Sequence, residues 1–220
     1  MHLWSSEWGL SAMLVFLCLA MFVGAPLVAT VKVGALVFDI LFSLLLVSGI
    51  VTIGRRPLLT AAVAVLTVAT LALRWVSFGS PGSVARIWSD GLTFVVLSIL
   101  AALVLAQVFR QGPITAHRIQ GAIVVYLLLG LIWAAAYEVI YYLFPGAFHM
   151  AQGDATLARP IQGLVYYSFI TLTTVGYGDI TPIHPVARSL AVAEALTGQL
   201  YLAILIARLV SMQISSRRKE

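Results

Sequence analysis

Residues 171–179 read Thr171-Leu172-Thr173-Thr174-Val175-Gly176-Tyr177-Gly178-Asp179. The apolar, aromatic stretch that runs into it, Gly163–Thr173, reaches only about 15–17 Å as a helix, half of a bilayer's hydrocarbon core. Two glycines one residue apart then interrupt any regular element. L-residues in ordinary extended backbone alternate the direction of their carbonyls, whereas glycine reaches positive φ at little cost. Gly176 and Gly178 therefore let a short strand turn its carbonyls to one side, and the Thr174 hydroxyl can add an oxygen at the inner end. Irregular backbone at membrane depth is tolerated only where protein buries it or where it lines a water-filled cavity. A lone Gly-x-Gly would mean little. The whole run in an apolar chain means much more.

The surrounding chain is apolar. Of 220 residues, 61% are hydrophobic and 10% charged, with a mean hydropathy of +1.04. Soluble domains carry about 25% charged residues, so the composition is that of an integral membrane protein. The net charge of +5 comes from basic residues scattered between apolar spans. That scatter suits orientation in a membrane and argues against a nucleic-acid surface. The single cysteine, Cys18, excludes an intrachain disulfide and reads as a small core hydrophobe.

A spanning helix needs about 20 apolar residues. Five segments reach or approach that length before the filter-like run: Leu10–Val31, Val33–Ile53, Leu58–Phe78, Leu92–Phe109 and Ile119–Phe144. A sixth, Val186–Gln213, follows it. Breaks at Gly54-Arg55-Arg56-Pro57, Gly79-Ser80-Pro81-Gly82, Gln111-Gly112-Pro113 and Pro145-Gly146 separate them. The first segment holds Glu7 ahead of it and no Lys or Arg, so it reads as a span and not as a signal peptide.

Thr174-Val175-Gly176-Tyr177-Gly178 resembles the selectivity filter of the potassium channel family. That pentapeptide is the sequence by which such filters are generally recognised, so this is a match of residues and not a deduction from them. The resemblance covers roughly Arg118–Gln213, less than half the chain, and is to the bacterial six-span type with one re-entrant pore loop. It implies an all-α membrane fold with an outer helix, a pore helix, a filter and an inner helix. It also implies that carbonyls of Thr174, Val175, Gly176 and Tyr177 replace the water of a potassium ion. One chain supplies one filter strand, so closing the ring requires a cyclic homotetramer. The division expected is a four-helix region over 1–112, a pore region over 113–214 and a short basic tail over 215–220.

Other positions follow from the same resemblance. Tyr166 and Tyr167 stand where these channels carry an aromatic pair that braces the filter tyrosine and the next aspartate, though an interfacial aromatic belt would use tyrosines equally. Asp179, just past the filter, would ring the outer mouth with carboxylates. Ile170 stands where some relatives have a glutamate paired with that aspartate, so inactivation through such a pair is not expected here. Gly198 falls at the usual hinge of the inner helix, and close packing against the pore helix explains it as well. Gln199, Leu202, Ile206 and Val210 share a helical face below the filter, with Val210 or Ile214 as a hydrophobic constriction.

Three carboxylates lie within spans, where each costs about 2.5–3.5 kcal/mol without a partner. Asp39 is expected to pair with Arg74, Glu138 to hydrogen-bond backbone behind the pore loop as a support of the filter, and Glu194 to brace the pore helix. The fourth segment contains no Lys or Arg, with Asp90 and Arg110 only flanking it, so a voltage sensor of the basic-every-third-residue kind is not expected.

The charges set the orientation. With both termini cytoplasmic, Arg55, Arg56, Arg110, Arg118, Arg208, Arg217, Arg218 and Lys219 lie inside, and Lys32, Arg74, Arg86, Arg159 and Arg188 outside. The location expected is the plasma (inner) membrane. The residues after Gln213 are too few for a ligand-binding domain. Protons at His184 or His149, lipid at the basic tail, or filter fluctuations remain as gating inputs. Passive potassium conduction is the reading, without cofactor or covalent chemistry and with membrane lipid as the only other partner. The alternatives are a non-selective cation channel and a non-conducting regulatory subunit.

Overall fold

The computed structural model describes residues 4–24, 27, 33–52, 57–77, 84–110, 115–150 and 160–217. Helix α1 (Trp4–Leu19) continues through a π-helical turn, Ala20–Gly24. Then follow α2 (Gly34–Thr52), α3 (Pro57–Val76), α4 (Val84–Val108) and α5 (Ala116–Leu143). A short strand β1 (Phe148–Met150), helix α6 (Pro160–Leu172), strand β2 (Ile180–Pro182) and helix α7 (Pro185–Arg217) complete the chain. Helices α2, α3, α4, α5 and α7 are long and apolar enough to cross a membrane, while the apolar parts of α1 and α6 are shorter. The chain is a multi-pass, mainly helical membrane protein.

Local chemistry explains the boundaries. Proline opens α3, α6 and α7, where its missing N–H is no loss. Thr115 caps α5, its hydroxyl accepting from Arg118 N at 3.4 Å. The first helix begins earlier and ends sooner than hydropathy suggests, and Pro26 follows its π turn by two residues. The remainder of that expected span, 25–26 and 28–31, lies outside the described residues. So do Lys32, Arg55, Arg56, Arg159, Arg218 and Lys219, and the side chains of Arg217 and Ile214.

One apolar core joins the helices. Met13 and Leu17 of α1, Leu45 and Leu46 of α2, Leu97 and Leu100 of α4, and Val124 and Leu128 of α5 are all buried in it. Helix α4 packs along α5, and α1 lies between α2 and α5. Arg208 of α7 donates to Phe109 O at 3.3 Å, setting a cation beside the C-terminus of α4.

The mainly helical fold is as expected, with one small addition: β1 and β2 form a two-stranded antiparallel ribbon with His149 opposite Thr181. One expectation needs correction. Glu138 does not turn to backbone behind the pore loop. Its Oε1 accepts from an Arg86 terminal nitrogen at 3.2 Å, and Arg86 Nε lies 3.4 Å from Asp90 Oδ2. Helix α4 starts at Val84, so Arg86 and Asp90 are buried helical residues and not a loop and a flank. A charged turn can be helical here because its partners satisfy it, and hydropathy alone cannot register that.

The Asp39–Arg74 pair forms as the depths of the two residues suggest. Arg74 Nε donates to Asp39 Oδ1 at 2.7 Å, and a terminal nitrogen lies 2.6 Å from the same oxygen. The guanidinium also sits 4.5 Å from the Phe42 ring centroid. Both residues are buried, so removing one partner leaves an uncompensated charge. Arg74→Met alone should lower unfolding free energy by about 3–5 kcal/mol, and Asp39→Leu/Arg74→Met together should recover most of it. Thermal melting of the detergent-solubilised protein reads both, and equal melting of the single variant and the native chain would show that the pair carries no stability.

Candidate functional site

Helix α6 is short and apolar, and it ends where the filter sequence begins. Its C-terminus is held by α7: a Cβ added at Gly198 would collide with the Leu172 carbonyl oxygen. Close packing thus accounts for this glycine, and α7 runs through it as one helix. On the other side, a Cβ at Gly130 of α5 would strike the Phe169 ring. Helix α6 is wedged between two helices that approach it at glycines.

The strand after α6 is pinned at its start. Val175 N and Gly176 N both donate to Ile170 O, at 2.8 and 3.1 Å, and Thr174 N donates to Thr171 O at 2.9 Å. Thr174, Gly176 and Gly178 adopt φ of 59°, 54° and 79°. The glycines were expected there. Thr174 was not, and a β-branched residue in this region is strained. Its hydroxyl donates to Thr173 O at 2.7 Å and accepts from Gln199 Nε2 at 3.3 Å, which offsets the strain locally. Gln199 therefore stands at the inner end of the strand.

The far end is pinned as well. Asp179 Oδ1 accepts from Ile180 N at 3.0 Å, closing a tight turn. Strand β2 then pairs with β1, and Ile183 N and His184 N donate to Ala147 O at 2.8 and 3.2 Å. His184 stacks on Phe144 with centroids 4.3 Å apart, and its Nδ1 accepts from Val186 N at 3.3 Å in the first turn of α7. A structural task thus occupies His184. His149 sits in β1.

The tyrosine pair divides. Tyr167 is 4% exposed and its ring meets Tyr137 and Phe148 edge-on, at 5.0 and 5.6 Å. Tyr166 is 40% exposed and faces out of the protomer. Glu138 lies with Arg86 and does not meet the filter strand. Glu194 does brace α6: its carboxyl contacts Ser168 of α6 and Tyr137 of α5. Ser168, Tyr137 and Ala147 were not legible as site residues, because an isolated Ser among aromatics and a Tyr in an apolar helix have no distinguishing pattern.

The strand that follows α6 is bare. Residues 173–178 are all exposed, with Val175 at 52% and Tyr177 at 73%. Gln199, Leu202, Ile206 and Val210 share this exposure. Only 11% of the spanning window of α7 is buried within the protomer, against 56% for α5. The C-terminal end of α6 adds a partial negative charge next to the strand's inner end.

Replacing Gly198 by Ala should displace the α6 C-terminus at a cost of about 1–3 kcal/mol, a steric cost well above that of a surface substitution. A lowered melting temperature in detergent would register it. Unchanged melting would show that α7 yields freely at this point.

The family model described as "Ion channel" matches residues 122–214. Over 91 residues, 41% of this chain, the sequence is 35% identical to "Two pore potassium channel c" of Oryza sativa subsp. japonica, covering 19% of that protein. Over 50 residues, 23% of this chain, it is 46% identical to "Protein LctB" of Bacillus caldotenax and 42% identical to that of Geobacillus stearothermophilus, covering 37% of each. The chain thus matches between about a fifth and just over a third of these relatives' lengths. No solved structure matches. Residues 122–214, comprising most of α5, all of α6, the strand after it and most of α7, match the ion-channel family model, and the resemblance of this segment is to the potassium channel family.

Proposed function

We propose that four copies of this chain close around an axis and conduct potassium ions passively through the strand Thr174–Gly178. The observation that carries this reading is the exposure of residues 173–178 in a protein built for the membrane. Unpaired backbone cannot face lipid, so the strand needs either a covering of further protein or a water-filled space, and a ring of copies would supply both. Left-handed residues at 174, 176 and 178 alternate with 175 and 177, which favours carbonyls turned to a common side. Fourfold closure would stack those carbonyls, with the Thr174 hydroxyl, into successive rings of oxygen. It would also cover the exposed faces of α7 around a cavity lined by Gln199, Leu202, Ile206 and Val210. Val210 or Ile214 would form the narrowest apolar ring.

In this reading Asp179 and the exposed Tyr166 surround the outer mouth. Six spans, with both termini cytoplasmic in the plasma (inner) membrane, place the filter near the outer face. The division is 1–112, 113–214 and 215–220. No cofactor takes part; potassium is the cargo and membrane lipid the surrounding partner. Purified protein in liposomes should take up rubidium, potassium should compete and sodium should not, and cross-linking should stop at four copies. Sodium competition equal to that of potassium would make this a non-selective cation channel. Absence of uptake by a cross-linked tetramer would make it a silent subunit.

A further inference from the structure

Glu194 lies in α7, one turn before Gly198, and is 0% exposed. Two oxygen–oxygen contacts meet its carboxyl, and a third continues from them. The Tyr137 hydroxyl reaches Oε2, the Ser168 hydroxyl reaches Oε1, and the same Ser168 hydroxyl lies 2.7 Å from Gly130 O. Each contact needs one proton between its two oxygens. A serine hydroxyl has one proton and a carbonyl oxygen has none. If Ser168 donates to Gly130 O, the proton between Ser168 Oγ and Oε1 has to come from Glu194.

The electrostatic surroundings agree with that count. The titratable groups that bear on Glu194 are phenols: Tyr137 of α5 contacts it, and Tyr126 of α5 and Tyr167 of α6 lie near it. Among the described residues no Lys or Arg forms an ion pair with it. An ionised carboxylate without a cation in this position would be held only by hydroxyls, with its desolvation uncompensated.

We propose that Glu194 works as a neutral carboxylic acid, donating to Ser168 Oγ and accepting from Tyr137, and so positions α6 and the filter behind which it lies. Ser168 passes the link on to Gly130 of α5, so one proton-complete chain joins three helices. Glu194 is a positioning residue and never meets the ion. The positioning role rests on the proposed conduction, whereas the protonation state does not.

Glutamine reproduces the pattern, with its amide N–H donating to Ser168 and its carbonyl accepting from Tyr137. Glu194→Gln should therefore assemble as the native chain does and retain rubidium uptake to within about fivefold, the worth of one ordinary hydrogen bond. Glu194→Ala should lose uptake. Infrared spectra at neutral pH should show a carboxylic-acid carbonyl band in the native protein that Glu194→Gln lacks. Loss of a carboxylate band instead, or failure of Glu194→Gln to assemble, would overturn the proposal. Uptake by Glu194→Ala equal to the native level would overturn the positioning role. A native protein that takes up no rubidium but shows the acid band would refute conduction and leave the neutral acid standing.

Discussion

The role proposed for residues 174–178 requires carbonyls that are free of other bonds, so the strand has to be held by other contacts. The contacts around it fit that requirement. The strand's N–H groups are taken at the start by the Ile170 carbonyl, and its exit is taken by Asp179 and by the β1–β2 ribbon. Between those anchors the backbone takes left-handed conformations at alternate residues. Glycine accepts two of the three, and the third is Thr174, whose hydroxyl contacts with Thr173 and Gln199 help hold it there. The strand is thus positioned by its ends, which makes the placement of α6 the quantity that matters.

Helix α6 has too few residues to stabilise itself, and its stability comes from tertiary packing. Glycines at 130 and 198 bring α5 and α7 to within contact of it, and the Glu194, Ser168 and Tyr137 oxygens fasten the same three helices in the polar direction. The aromatic edges of Tyr137, Tyr167 and Phe148 then carry the packing outward to the ribbon that holds the far end of the strand. Helix end, inner helix and ribbon form one continuous support. The N-terminal helices join it through charge: Arg86 of α4 meets Glu138 of α5, and Asp39 and Arg74 link α2 to α3.

How far the sequence could be read depended on whether a feature is local. The short pore helix, the glycine pair and most helix boundaries follow from hydropathy and backbone freedom, which are properties of a stretch. Asp39 and Arg74 could be matched because antiparallel neighbours share depth. Arg86 could not, since a buried arginine looks like a loop residue until Asp90 and Glu138 are in place around it. The left-handed Thr174 and the three-residue strands were hidden for the same reason: the bond from Gln199 and the pairing of Phe148–Met150 with Ile180–Pro182 join residues distant in the chain.

The inner helix shows how support and freedom divide along one element. Over its upper part α7 is fixed by Glu194 to α5 and α6, by Gly198 to the end of α6, and by the Tyr201 hydroxyl to Ala122 O at 2.7 Å. Below Tyr201 the side chains of Leu202, Ile204, Ile206 and Val210 are exposed, and the described polar tie is that of Arg208 to Phe109. Helix–helix association in a membrane rests on close packing and hydrogen bonds, because lipid is as apolar as the side chains. The upper part has both, whereas over the described side chains 202–211 the contacts are the Arg208 bond and the packing of Leu205 against the core. Glu194 and Gly198 fix α7 to α6 at the level where α6 ends, so a displacement of α6 would be passed directly to the strand that follows it.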